Sequence, residues 1–116
     1  MNGYVLVVED DDANREFLRM LLEGEGFLVA TACDGREALD WLMSHSRPSL
    51  VLLDLEMPRM NGWEFLQEAD RTSALTGINV VMLTGRARRL RVLDWISKPA
   101  EPAALVETLR HHMRAS

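Results

Sequence analysis

The feature that most constrains the fold is a short apolar run that ends in a carboxylate. Residues 50–53 read LVLL, and Asp54 follows directly. The run is too short for a helix and does not alternate with polar residues, so it predicts a strand buried on both faces of a parallel sheet. An ionised side chain needs water, and we therefore expect Asp54 to end this strand at the carboxyl edge of the sheet, where α/β folds bind ligands.

The rest of the chain alternates strand and helix patterns. Strands are predicted over 4–8, 27–32, 50–54, 78–84 and 95–97. Helices are predicted over about 13–23, from the capping pattern Asp34-Gly-Arg-Glu37 to Arg47-Pro48, after a second such pattern at 61–64, and from Pro102 onward. This alternation indicates right-handed crossovers, so we predict an α/β fold with a doubly wound, five-stranded parallel sheet.

Composition restricts the possible functions. The 116 residues predict a single domain over 1–116, with no appended output domain. A net charge of -5 argues against general binding to nucleic acid or to anionic membranes. The sequence shows neither a signal-peptide pattern nor a membrane-spanning run, so a cytoplasmic location is expected. The lone cysteine, Cys33, follows residues 27–32 at the end of the run FLVATAC and is predicted to be a small buried residue that continues the second strand, without a functional role.

Polar residues follow several of the predicted strands at their common edge. These are the acids of 9–12 after the first strand, Asp54 after the third, Thr84 after the fourth and Lys98 after the fifth. Carboxylates that converge repel one another unless a divalent cation neutralises them, and their oxygen atoms favour Mg²⁺. A carboxylate beside Mg²⁺ can attack phosphorus, with a hydroxyl and an ammonium group contacting the phosphoryl oxygens. The pattern predicts phosphoryl chemistry centred on Asp54.

Lys98 is the only lysine in the chain, whereas the other twelve of the 13 basic residues are arginines. A compact ammonium group on a flexible stem can follow a phosphoryl group as a point charge, which a rigid guanidinium does less readily. We therefore interpret Lys98 as a phosphoryl-binding residue rather than as an ordinary surface lysine before a proline.

Four segments together resemble the CheY-like receiver domain of two-component response regulators. They are VLVVEDD, LVLLDLEMPRMNGWE, VVMLTG and WISKP, and they stand in the family's order over nearly the whole chain. The resemblance implies a flavodoxin-like receiver fold. It also implies that Asp54 is the phosphoacceptor, charged from a phosphohistidine of a sensor histidine kinase or a phosphotransfer protein.

The same resemblance implies roles for further residues. The Mg²⁺ ligands would be Glu9, Asp10, Asp54 and the backbone carbonyl of Glu56. Thr84 and Lys98 match the family's phosphoryl-sensing pair, and a cis Lys98-Pro99 bond would aim the lysine inward.

Two residues at these positions differ from the family's usual choice. Glu9 stands where the family usually has Asp, and its longer side chain is tolerable for a ligand that acts through water; Asp11 is an alternative ligand. Trp95 stands at the position of the switching aromatic, usually Tyr or Phe. It is interpreted either as that switch residue or as a plain packing residue.

The segment between the fourth and fifth strands is short. Only residues 85–93 separate Thr84 from Asp94, whereas a parallel crossover usually needs about a dozen residues or more. We therefore predict that the family's fourth helix is shortened or absent and that its output face is altered. The arginines of this segment form a basic patch, interpreted as a solvated loop rather than as a site for nucleic acid or an acidic partner. They are Arg86, Arg88, Arg89 and Arg91.

The leading interpretation is a stand-alone phosphoacceptor switch whose Mg²⁺-dependent aspartyl phosphate changes the binding of a downstream protein. One alternative is a receiver-shaped interaction module that does not use phosphorylation. A second is a small phosphatase of the haloacid dehalogenase type, because Asp54-Leu-Glu56 superficially resembles an Asp-x-Asp pair. The second acid of that pair is not an aspartate, so an enzyme is not expected.

Overall fold

The computed structural model describes residues 3–54, 62–75, 78–84, 94–97 and 102–115. Within them, strands and helices follow in the predicted order, and most boundaries agree within one or two residues. The strands are β1 (Tyr4–Val8), β2 (Leu28–Ala32), β3 (Leu50–Asp54), β4 (Asn79–Thr84) and β5 (Asp94–Ser97). The helices are α1 (Asp12–Gly24), α2 (Gly35–Ser44), α3 (Gly62–Thr72) and α4 (Pro102–Ala115). The 85–93 crossover, predicted to be too short for a full helix, lies outside the described residues.

The predicted parallel α/β arrangement is confirmed. The strands lie in the order β2-β1-β3-β4-β5, and every pairing is parallel. From β1 the chain adds β2 on one side and then crosses over to add β3 on the other, so the winding direction reverses between β1 and β3. Such a switch point opens a crevice at the carboxyl ends of the two strands, which is where this class of fold binds ligands.

Helices cover both faces of the sheet because each central strand buries alternate side chains on opposite sides. On one face, α1 and α4 pack on strand residues to form a cluster of Val5, Val7, Leu18, Leu22, Leu50, Leu52, Val81, Leu83, Leu105, Val106 and Leu109. On the other face, α2 and α3 contribute to a cluster that includes Leu6, Val8, Ala38, Leu39, Val51, Leu53, Phe65, Ala69 and Met82. The five residues of β3 are all buried, so Asp54 ends a strand fixed from both sides.

The turn after α1 explains where β2 begins. Phe27, predicted as the first residue of the second strand, donates its backbone N–H to the carbonyl oxygen of Leu22 at 3.0 Å. Gly26 has a positive φ of 94° and donates to the carbonyl of Glu23 at 3.0 Å. This pair of bonds closes the helix as a Schellman motif, so β2 starts one residue later, at Leu28.

The start of α2 follows the predicted capping pattern. Asp34 accepts a hydrogen bond from the backbone N–H of Glu37 at 2.8 Å, and Glu37 reaches back to the N–H of Cys33 at 2.6 Å. The helix ends at Ser44, earlier than the predicted stop at 47–48, because His45 adopts extended backbone angles. At the other end of the chain α4 begins at Pro102, as predicted. Among the described residues, no helix has the length and apolar character needed to cross a membrane.

Candidate functional site

Three acids meet at the carboxyl edge of the sheet, at the switch point between β1 and β3. One carboxylate oxygen from each of Glu9, Asp10 and Asp54 lies within 4.8 Å of the other two. Asp54 is 2% exposed and Glu9 3% exposed, whereas Asp10 is half-buried. The site is therefore open to solvent through Asp10 and closed behind the other two acids.

The loop from β1 to α1 holds Glu9 in place. The backbone N–H of Glu9 donates to the carbonyl of Ala32 at 3.1 Å, and this bond extends the β1–β2 pairing by one residue. Its carboxylate accepts a hydrogen bond from the N–H of Asp11 at 3.1 Å. The carboxylate of Asp11 accepts from the N–H of Asn14 at 2.8 Å, as the N-cap of α1. Of the two alternative ligands, Glu9 lies in the acid cluster and Asp11 caps the helix.

Arg15, which the sequence reasoning did not single out, braces the same loop. Its Nη1 donates to the carbonyl oxygens of Glu9, at 3.0 Å, and Asp10, at 3.4 Å, while Nη2 pairs with Asp12 at 2.5 Å. The hydrogen bond with Asp12 raises the pKa of Arg15 above its usual value. The only signal in the sequence is an arginine one turn into the helix that follows the acidic run.

The donor set fits a hard divalent cation. All three converging side chains offer oxygen atoms, the ligands that Mg²⁺ and Ca²⁺ prefer. Carboxylates within 4.8 Å of one another repel, and a bound cation would turn that repulsion into attraction. The backbone carbonyls of Glu9 and Asp10 already accept hydrogen bonds from Arg15. The carboxylates are therefore the groups of this loop best placed to bind metal.

The other predicted site residues are placed only in part. Thr84 ends β4 and pairs with Ser97 of β5, so its backbone lies at the expected edge of the sheet. Trp95 lies in β5, opposite Met82 in the register. For both residues the structure describes the backbone and not the side chain. The remaining predicted features lie outside the described residues: Glu56, Lys98, the Lys98-Pro99 bond and the arginines of 86–91.

The predicted position of Cys33 inside the second strand is wrong. Strand β2 ends at Ala32, because the N–H of Cys33 is taken by the Glu37 carboxylate of the α2 cap. The thiol is half-buried, and its Sγ lies 3.9 Å from an oxygen of Asp34. Desolvation, reinforced by the hydrogen bond to Glu37 and by nearby acids, raises the pKa of the Cys33 thiol.

A raised pKa leaves less of the reactive thiolate at a given pH, so Cys33 should react slowly in the folded protein. We expect iodoacetamide at pH 8 to alkylate native Cys33 several-fold more slowly than urea-unfolded protein, as followed by intact mass. Glu37→Gln removes one of the acids that raise this pKa and should speed the native reaction. Equal alkylation rates for native and unfolded protein would contradict a raised pKa for the half-buried Cys33 thiol.

Comparison with known proteins identifies the family to which this fold and site belong. A family model of the response regulator receiver domain matches residues 5–110. The chain belongs to the response regulator receiver domain family. Members of this family act as switches in two-component signalling, interact with histidine kinases and typically bind Mg²⁺ at an acidic pocket.

Curated relatives agree with this assignment. The DNA-binding response regulator MtrA of Mycobacterium tuberculosis is 38% identical over an alignment of 122 positions, gaps included, which covers 98% of this chain and 52% of MtrA. The chain thus spans about half the length of the MtrA proteins that it matches. An uncharacterized 14.6 kDa protein of Leptolyngbya boryana is 31% identical, with 96% of this chain and 90% of that protein covered.

Solved structures share the architecture. The chemotaxis protein CheY4 of Vibrio cholerae superposes with a TM-score of 0.86 at 29% identity, covering 96% of this chain and 98% of CheY4. A CheY-like receiver domain protein from Methanospirillum hungatei gives the same TM-score and identity, with both chains fully covered. The fold is therefore the CheY-like flavodoxin fold.

Proposed function

We propose that this receiver domain is a phosphoacceptor switch that takes a phosphoryl group on Asp54 in a Mg²⁺-dependent reaction and thereby alters the binding of a partner protein. The observation that carries the proposal is the convergence of Asp54 with Glu9 and Asp10 at the switch point of the sheet. The proposal includes a shortened fourth crossover over residues 85–93.

The chemistry at Asp54 follows from its position. A carboxylate oxygen of Asp54 forms a bond to phosphorus while the bond from phosphorus to the imidazole nitrogen of a phosphohistidine breaks, and the electron pair returns to that nitrogen. The rigid end of β3 fixes the direction of attack, because all five residues of the strand are buried. Bound Mg²⁺ would supply positive charge to the transferring phosphoryl oxygens.

The surrounding residues have separate roles in the proposal. Glu9 and Asp10 would hold the cation with Asp54, and the backbone carbonyl of Glu56 would complete the ligand set. Thr84 would donate its hydroxyl to a phosphoryl oxygen, and Lys98, which follows β5 in the sequence, would contribute its ammonium charge. The parallel pairing of Thr84 with Ser97 supports this grouping, because both strand ends lie at the site's edge.

Trp95 is proposed as the residue that transmits the phosphorylated state. It lies in β5 beside β4, two residues before the partner of Thr84 in the register. A movement of the Thr84 hydroxyl toward a phosphoryl group would free space near Trp95, whose indole would then repack and change the surface around β5. That change of surface would alter the binding of the downstream protein.

The partners follow from the family and from charge. The phosphodonor would be a sensor histidine kinase or a phosphotransfer protein, and the downstream target a protein. The MtrA relatives are named as DNA-binding, and this chain spans 52% of their length. A net charge of -5 supports protein rather than nucleic acid as the target of this domain. The transfer is stoichiometric, so the domain is proposed to be a switch and not a turnover enzyme.

Intact mass spectrometry tests this function. After incubation with acetyl phosphate and Mg²⁺, the protein should gain the mass of a single phosphoryl group, and EDTA should prevent the gain. A folded, Mg²⁺-binding protein that gains no mass would contradict the proposal and favour a phosphorylation-independent interaction module. Continuous hydrolysis of p-nitrophenyl phosphate would instead favour the phosphatase reading.

A further inference from the structure

We propose that Arg15 is a positioning residue for the metal site: by binding the carbonyl oxygens of Glu9 and Asp10 it holds the β1–α1 loop in the conformation in which both carboxylates meet Asp54. The inference deepens the proposed function and rests on it, because it assumes that this acid cluster binds a divalent cation. Arg15 is not proposed to contact the cation or the phosphoryl group.

The contacts of Arg15 support a bracing role. Nη1 reaches back from the first turn of α1 to the two carbonyls, at 3.0 Å for Glu9 and 3.4 Å for Asp10. Nη2 also pairs with the carboxylate of Asp12 at 2.5 Å, but that side chain is exposed, so the restraint comes mainly from the two carbonyl contacts. The side chain therefore joins the start of the helix to the peptide groups on which the acid pair is carried.

Bracing matters here because the acids repel one another. Without the contacts from Arg15, this repulsion would relax the loop so that Glu9 and Asp10 separate from Asp54, and metal binding would then have to draw them together again. Because Arg15 already holds the loop in the binding conformation, metal binding does not have to supply the free energy of that conformational change, and the affinity is higher. The guanidinium also adds positive charge behind the loop, which offsets part of the repulsion among the carboxylates.

Positioning and simple charge predict opposite effects on Mg²⁺ affinity. If Arg15 acted only as a nearby positive charge, it would repel the cation, and its removal would tighten Mg²⁺ binding. If Arg15 positions the loop, its removal weakens binding despite the lost repulsion. Residues that orient metal ligands typically contribute about 10- to 100-fold in affinity.

Arg19 offers a matched control. It lies one turn further along the same helix, and its guanidinium pairs with the carboxylates of Glu16 and Glu23 on the helix surface. Arg15→Met and Arg19→Met therefore remove the same charge and the same donors from one helix. Arg15→Lys restores the charge without the forked donors, and it should recover only part of the lost affinity.

The test measures the Mg²⁺ dissociation constant by isothermal titration calorimetry, together with hydrogen exchange in EDTA. Arg15→Met should bind Mg²⁺ about tenfold more weakly than wild type, and Arg19→Met should match wild type. In EDTA, the N–H of Asp11, which donates to Glu9, should exchange faster in Arg15→Met while the amides of β3 stay protected. Urea unfolding verifies that each variant is folded.

The outcomes separate the inference from the function on which it rests. Unchanged or tighter Mg²⁺ binding by Arg15→Met would overturn the inference and leave the phosphoacceptor proposal standing. A wild-type protein that binds no Mg²⁺ would overturn the proposed metal role of the cluster. In that case, faster exchange at Asp11 in Arg15→Met would still support the brace on the loop, and unchanged exchange would refute it.

Discussion

Asp54→Asn is expected to abolish phosphoryl uptake from acetyl phosphate. The amide has nearly the same shape as the carboxylate, so it should fit the buried end of β3, where Asp54 is 2% exposed. It lacks the anionic oxygen that attacks phosphorus, so no acyl phosphate can form. Intact mass measured under conditions that fully load the wild type should show no adduct on the variant.

Two further variants define the specificity of this result. Asp40→Asn makes the same chemical change at an exposed position on α2, away from the three-acid cluster, and should load like wild type. Asp10→Asn keeps the acceptor and removes one proposed ligand, so it should load more slowly and need more Mg²⁺. An adduct on Asp54→Asn equal to that of wild type would place the phosphoryl group on another residue.

Of the substitutions proposed for this protein, Phe65→Ala should cause the largest fall in the free energy of unfolding. Phe65 lies on α3, is fully buried, and belongs to the cluster that packs helices α2 and α3 against the sheet. Truncation of a buried phenylalanine to alanine costs about 3–5 kcal/mol, from lost apolar burial and the remaining cavity. Because a domain of this size is stable by only about 5–15 kcal/mol, urea unfolding should show a large fall in midpoint.

Gln67→Ala provides the control on the same helix. Gln67 is exposed, so its truncation should change the free energy of unfolding by less than about 0.5 kcal/mol. At urea concentrations near its unfolding midpoint, the Phe65→Ala variant should also take up less phosphoryl group than wild type. The reason is that the cluster packs on β3, which carries Asp54. Equal stability of the two variants would show that this face of the sheet is not packed as described.

The strand that carries Asp54 was predictable because its pattern is local. Four apolar residues followed by an acid leave few other placements in a globular chain, and β3 does end at Asp54. The start of α4 at Pro102 was predictable for a similar reason, since proline lacks the N–H that a first helical position does not need.

Boundaries that depend on hydrogen bonds between neighbouring elements were less predictable. Ile78 was predicted to begin the fourth strand, but its N–H donates to the carbonyl of Leu75 at 2.9 Å, and β4 starts at Asn79. Phe27 was displaced from β2 in the same way by its bond to Leu22. Both residues have side chains that favour strands, but each donates its backbone N–H to a preceding turn, and that hydrogen bond excludes the residue from the strand.

In the candidate site, too, some features could be predicted from the sequence, and others depend on individual hydrogen bonds. Sequence patterning predicts that the acids of 9–12 and Asp54 meet, because parallel strands end at one edge of the sheet. The structure adds that β1 and β3 are neighbours and that Glu9 and Asp10 are the acids that lie beside Asp54. The separate roles of Glu9 and Asp11 do not follow from sequence patterning, because they depend on which carboxylate the α1 cap uses. Arg15 was missed because its contacts run from a side chain to backbone carbonyls, which leave no pattern in residue type.

The most direct test of the central proposal is to locate the phosphoryl group. Borohydride reduces an aspartyl phosphate to homoserine, so protein loaded with acetyl phosphate and Mg²⁺ would be reduced, digested and sequenced by tandem mass spectrometry. We predict homoserine at position 54 in the loaded sample, and aspartate there in the EDTA control. Homoserine at another aspartate, or none in a sample that carries the phosphoryl mass, would contradict the assignment of Asp54 as the phosphoacceptor.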